Sequence, residues 1–177
     1  MIKKVLNFWF NQLTPAQWFA KDFALDQLII QEFAAIHEQA RQGELFDWRQ
    51  TAAGSLAEII ILDQFSRNMF RGTAQSFAYD GMALILSEEA IRHGHDHALS
   101  MTERAFLYMP FMHSESLAIH AQALKLFAVP GLEENLKFEA QHMEIIQQFG
   151  RYPHRNVILA RESTAAEKDF LKTHTGF

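Results

Sequence analysis

Apolar residues recur along this chain at the three-and-four spacing of helices, broken by short polar punctuation, and that pattern predicts an all-α protein. Thr14-Pro15 reads as an N-cap with proline at the first helical position. The longest amphipathic segment runs from Asp22 to Gln42, with Phe23, Ile29, Ile30, Phe33, Ile36 and Ala40 on one face and Gly43 as its stop. Asp47-Trp48-Arg49-Gln50 reads as a capping box that opens a second long helix through Asn68. Its apolar positions are Ala52, Leu56, Ile59, Ile60, Leu62 and Phe65. The run Ile59-Ile60-Ile61-Leu62 is β-branched enough for a strand, but flanking helix formers and pattern length favour a buried helix.

Tyr79-Asp80 begins a third helix that stops at Gly94, and Ser100-Met101-Thr102-Glu103 is a capping box for a fourth. Pro110 is expected to end or kink that helix, because the residue before a proline avoids the helical region. Ser114 or Ser116 caps the next, through about Phe127. Pro130-Gly131 marks a turn before a helix from Leu132 to Phe149, which ends at Gly150. A short helical segment follows Pro153, and Thr164-Ala165-Ala166-Glu167 caps the last. About eight helices, short connectors and no linker predict a single all-helical domain over 1–177, with lengths that suit antiparallel helical hairpins. No convincing repeat period emerges.

Composition removes several function classes. Net charge is −5 and the pI about 6.0, with no block of Lys or Arg, so neither nucleic acid nor an anionic membrane has a landing surface. Cysteine is absent, which excludes disulfides, thiolate metal sites and thiol nucleophiles and permits a cytoplasmic location. The start, Met1-Ile2-Lys3-Lys4 before Val5-Leu6-Asn7-Phe8-Trp9-Phe10, mimics a signal peptide, but its apolar stretch is short and broken by Asn7. No apolar run is long enough to span a bilayer, so the expectation is a soluble protein that stays where it is made. No phosphate-loop or dinucleotide glycine pattern is present, Gly54-Ser55 is not a nucleophile elbow, and no cofactor is expected.

Several polar runs carry a resemblance. These are Phe8-Trp9-Phe10, Trp18-Phe19, Leu62-Asp63-Gln64-Phe65-Ser66-Arg67-Asn68-Met69-Phe70-Arg71-Gly72-Thr73, Phe106-Leu107-Tyr108-Met109-Pro110-Phe111-Met112-His113-Ser114-Glu115 and Phe149-Gly150-Arg151-Tyr152-Pro153-His154-Arg155-Asn156, followed by Arg161-Glu162-Ser163-Thr164. In that order, over almost the whole chain, they resemble the bacterial domain-of-unknown-function family numbered 924. The resemblance implies a fold related to tetratricopeptide-repeat domains, a right-handed array of helical hairpins, and carries no assigned activity. The family pattern has proline where this chain has Ser66 and glycine where it has Ala160, which argues against Ser66 as a nucleophile.

Two polar concentrations are candidates for binding. Asp63 and Arg67 stand four apart and share a helix face, with Asn68 and Arg71 near the helix end. Arg151, His154, Arg155 and Asn156 crowd a junction between Gly150 and Pro153. An Arg-lined pocket for an anionic small molecule or a peptide carboxylate is one reading. An internal network of paired charges tying helices together is the other. The anion reading requires the two concentrations to converge in space.

His113-Ser114-Glu115 follows the Pro110 break, with Tyr108 one turn earlier, and His142 lies beside Glu139 and Glu144 on one helix. His113, Glu115 and His154 are therefore candidates for proton transfer in a small hydrolase or transferase. His113 and His120 share a face but lack a third ligand, and His93, His95 and His97 read as a solvated connector, so no metal site is expected. Three functions follow: a binding module with Asp63, Arg67, Asn68, Arg71, Tyr108, His113, Arg151, His154, Arg155 and Asn156 as its ligand-binding residues; an acid–base enzyme; and a structural protein that associates with itself.

Overall fold

The structure, a computed structural model, describes residues 1–174, and every regular element among them is helical. The fold separates into two compact units, Met1–Arg71 with Gln75–Pro110, and Gly72–Ala74 with Phe111–Phe177.

The first unit is built around α4 (Ala52–Ile60) and the π-helical turn Ile61–Phe65 that continues it. Every residue from Leu56 through Phe65 is buried, so the β-branched run Ile59-Ile60-Ile61-Leu62 is a helix enclosed on all sides rather than a strand. Around it pack α1 (Ile2–Asn7), α3 (Phe23–Arg41) and α6 (Asp80–Arg92), with the short helix α5 (Ser66–Met69) against α3. Phe33 and Phe65 meet with ring centres 4.7 Å apart, Phe8 closes edge-on over both and Trp9 edge-on over Phe65, the geometry that ring quadrupoles favour. Helix α2 (Pro15–Trp18) carries the expected cap: Thr14 and Gln17 bond reciprocally. Most of α7 (Met101–Met112) also belongs to this unit.

Three expectations are corrected. The second long helix does not begin at Asp47: Phe46–Gln50 forms a 3-10 turn, and Thr51 caps α4 by accepting from the Gly54 amide at 3.1 Å. The Trp48 carbonyl then lies so close to Gly54 that a Cβ there would sit 1.9 Å from its oxygen. Pro110 does not stop α7, which runs two residues further to Met112. Phe23 was expected on the buried face of α3, yet it is 77 % exposed, and Asp26 and His37 are buried on that helix alongside Ile29, Phe33, Ile36 and Ala40.

The second unit is a hairpin of α8 (Leu117–Phe127) and α9 (Glu133–Phe149), followed by the 3-10 turn Pro153–Arg155 and α10 (Ala165–Phe170). Gly150 ends α9 with φ +68°, a left-handed conformation that glycine adopts without penalty. Ile145 and Ile146 pack on Tyr152, with Phe149 and Phe170 at the edge of that cluster. Thr164 and Glu167 complete the capping box on α10.

Candidate functional site

In the first unit the Asp63 run forms two separate charge networks. Arg67 binds both oxygens of Asp80 at 2.9 and 3.0 Å and lies 3.0 Å from Asp63, while Gln64 donates to the other Asp63 oxygen. Arg71 grips a different carboxylate, that of buried Asp26, through Nε at 2.6 Å and Nη2 at 2.7 Å. Asn68 donates to the same Asp26 at 2.8 Å. Both guanidiniums thus spend a bidentate face on an aspartate of their own unit. Tyr108 donates to buried Asp96 at 2.7 Å, and burial followed by that bond holds its hydroxyl well above the usual phenol range.

The histidine segment beyond α6 keeps His93 and His97 exposed, in line with a solvated connector. His93 bonds Glu89 at 2.8 Å, and His95 lies 3.1 Å from Ser55. A depression of about 230 Å³ lies near it, lined by Ser55, Glu58, Glu89 and His93 and by Arg49, which is locked on both oxygens of buried Glu58.

The second unit brings together most of the remaining candidates. Glu115 accepts from the Tyr152 amide at 2.8 Å and from Arg161 at 2.6 and 2.9 Å. Burial works to raise the Glu115 carboxyl, but Arg161 and the Tyr152 amide together hold it below the ordinary value. Arg155 donates to the His113 carbonyl at 3.0 Å and lies over the Tyr152 ring, 4.7 Å from its centre. Arg151 is bidentate on Glu167, whose carboxyl it holds down to about 2. Asn156 donates to Ser163 and accepts from Arg161.

Beneath these groups lies a buried relay that spacing alone does not reveal. Tyr152 donates its hydroxyl hydrogen to the Met112 carbonyl at 2.6 Å. The Ser114 carbonyl, 2.8 Å from His120 Nε2, can only accept, so that nitrogen carries hydrogen and also points at the Tyr152 oxygen, 3.2 Å away. His120 Nδ1 then faces Glu139 at 2.6 Å, with both side chains wholly inside the protein, and burial pushes the Glu139 carboxyl up.

His142 lies one turn beyond Glu139 on α9, and its Nδ1 donates to the Phe138 carbonyl at 2.7 Å. Burial, then the charges of His113, His120 and His154, hold its pKa down to about 3. The rings of His120, His142 and His154 all lie within 6.3 Å of Tyr152, centre to centre. Four imidazoles therefore share one electrostatic neighbourhood, two of them buried and two, His113 and His154, partly exposed.

Sequence reasoning identified His113, Glu115, Arg151, His154, Arg155 and Asn156, and the structure gathers them in one unit. It missed Tyr152, His120, Glu139 and Arg161 as parts of the same cluster. The available signal was the stripe Glu139–His142 at helical spacing on a face that otherwise buries Ile145 and Ile146. Among the described residues, no group of three or more histidines and carboxylates is placed to hold a metal ion, and no helix is long and apolar enough to cross a membrane.

Residues 5–175 match the family described as bacterial protein of unknown function, DUF924. A solved structure of a protein of unknown function from Agrobacterium tumefaciens is similar over 98 % of this chain and 97 % of that one, at 41 % identity and a TM-score of 0.92. Among curated proteins none matches.

Proposed function

The chain belongs to the DUF924 family of bacterial proteins of unknown function, and from that premise we propose that it is a binding protein whose second unit holds a small oxyanion, either an anionic metabolite or a peptide carboxylate. The reading rests on the imidazoles of His142 and His154 against Tyr152, with His113 close enough to His142 to act on it and, like His154, partly exposed. Imidazole N–H groups recognise oxyanions directly, and Arg155 beside them adds fixed positive charge. Arg151 and Asn156 support the segment that carries His154 and Arg155, through Glu167 and Ser163 respectively. Asp63, Arg67, Asn68 and Arg71 act on this reading as framework of the first unit, because their charged groups engage one another, Asp26 and Asp80.

Binding is favoured over acid–base turnover by the state of Glu115. A carboxylate held below its ordinary range by Arg161 is a weak proton acceptor at neutral pH. Thermal unfolding of the full chain with and without sulfate, acetate and a short free-acid peptide tests the proposal. At least one of these anions raises the transition temperature of the wild type, and His113→Gln and His154→Gln each abolish the rise while remaining folded. A panel of anions that leaves the transition unmoved, or stabilises wild type and both variants alike, contradicts it.

A further inference from the structure

We infer that the first unit carries a serine nucleophile, Ser55, activated by His95 and reached by small neutral esters through the depression beside α6. This goes beyond the oxyanion reading and uses none of its residues. The two helices that flank the depression each give it one stripe. Ser55 and Glu58 stand three apart on α4, and Leu86, Glu89, Ala90 and His93 follow at helical spacing on α6 and its C-terminal cap. The Ser55 backbone is fixed in the first turn of α4, where its amide donates to the Thr51 carbonyl at 2.9 Å. Gly94 turns the chain with φ +71°, and the 3-10 helix His95–Ala98 then opens with the His95 ring 3.1 Å from the Ser55 oxygen.

A serine hydroxyl is a weak nucleophile until a neighbouring base takes its proton, and an imidazole within hydrogen-bond reach does so. With hydrogen on Nε2, His95 Nδ1 accepts from the Ser55 hydroxyl, and the serine oxygen keeps its lone pairs for a guest. Charge decides what that guest is. Arg49 is matched by buried Glu58, and Glu89 holds Arg92 on one oxygen and His93 on the other. The depression thus has no surplus positive charge to draw an anion, and two carboxylates beside it repel one. The fork on Glu58 uses Nε and Nη2 of Arg49, which leaves Nη1 to donate to a neutral carbonyl. Leu86 and Ala90 give an apolar side that suits a short acyl chain.

In the reaction the Ser55 oxygen bonds to the ester carbonyl carbon as its proton passes to His95 Nδ1, and Arg49 stabilises the negative charge that develops on the carbonyl oxygen. The bond to the leaving alcohol breaks, and that oxygen takes the proton from His95. Water then attacks the acyl-serine and gives a proton to Nδ1. The carboxylic acid leaves as that proton returns to Ser55.

Mixing the full-length protein with p-nitrophenyl acetate tests this, with peptide mass spectrometry to locate the acyl group. The expected result is release of nitrophenol with an acetyl group on Ser55. His95→Gln slows that acylation about a hundredfold, and Ser55→Ala abolishes it, both variants keeping wild-type helicity in circular dichroism. Diethyl p-nitrophenyl phosphate, a neutral ester that leaves a slowly hydrolysed phosphoryl group on an activated serine, gives a second reading on the unaltered protein, an adduct at Ser55. Acetylation confined to lysines, other histidines or the amino terminus overturns the inference, as does nitrophenol release from Ser55→Ala at the wild-type rate. Failure of both reagents to modify Ser55 overturns it too.

Discussion

His120 and Glu139 meet at 2.6 Å from facing helices, with neither side chain exposed. Their hydrogen bond carries a proton whichever partner holds it, because the Ser114 carbonyl already fixes hydrogen on the opposite nitrogen of the ring. Through that ring and Tyr152 the pair links α8, α9, the end of α7 and the turn after α9. The oxyanion proposal depends on this node, since it seats the Tyr152 ring against which His120, His142 and His154 lie.

Removing one partner leaves the other buried without its bond. Glu139→Ala is therefore expected to destabilise the protein by about 3 kcal/mol in urea unfolding. His120→Leu combined with Glu139→Leu, which replaces the pair with apolar bulk, recovers much of that loss. Equal destabilisation by the single and double variants contradicts the assignment of a coupled pair.

Acid is expected to weaken the fold before most carboxylates titrate. His37 bonds Ser66 at 2.8 Å, and burial ahead of the Arg41 charge holds its pKa down to about 4; for His142 burial holds it to about 3. Both lie below the ordinary 6.5, so under that pH the unfolded chain binds protons that the fold resists. Their contribution is complete above about pH 6.5 and falls as pH drops, by about 2 kcal/mol for each residue at pH 5. Glu139, pushed up by burial, works in the opposite direction and trims the effect. Urea midpoints at about pH 7 and 5 measure the difference, and His142→Leu should remove roughly half of it. Identical midpoints at the two pH values contradict the account.

Arg71 and Asp26 form a fork-to-fork pair with Asn68 on the same carboxylate. Asp26→Ala leaves Arg71 and Asn68 without that acceptor and is expected to cost about 3 kcal/mol. Arg71→Lys retains the charge but loses the planar fork, and is expected to recover less than half. Denaturant midpoints that place Arg71→Lys level with wild type would refute a geometric role for the guanidinium.

Two backbone positions predict opposite signs. Gly54→Ala sets a methyl against the Trp48 carbonyl and is expected to lower stability by more than about 2 kcal/mol, since backbone is the obstacle. Ala160 holds φ +52°, the left-handed region, which a residue with a Cβ rarely adopts. Ala160→Gly is expected to raise stability by about 1 kcal/mol as that strain is relieved. Thermal unfolding of both variants checks the pair, and a stabilising Gly54→Ala or a destabilising Ala160→Gly contradicts it.

Helix boundaries were legible at several caps that lie within four residues of what they cap, though not at Thr51, whose cap on α4 the Asp47–Gln50 pattern masked. Thr14 with Gln17, Ser100 with Glu103 and Thr164 with Glu167 are examples, and Gly150 marks the end of α9. The π turn at Ile61–Phe65 and the 3-10 turn at Phe46–Gln50 were not, because the surrounding core decides them and their local residues are ordinary helix formers. The pairing of Asp63 with Arg67 was readable from spacing, whereas Asp26 with Arg71 spans a separation that no helical period encodes. The same holds for the second unit. The His113–Glu115 and Arg151–Asn156 segments stand out by composition, but Tyr152 reaches them through the carbonyl of Met112, and a backbone acceptor leaves no trace in residue identity.

Histidine side-chain resonances followed by NMR during a sulfate titration at about pH 6.5, near the ordinary imidazole midpoint, test the central claim most directly. The account predicts that the His113 and His154 signals shift together and saturably with sulfate, with His142 responding, while His93 and His97 stay unchanged. Movement confined to His93 and His97, or a uniform drift of every histidine with ionic strength, would contradict it.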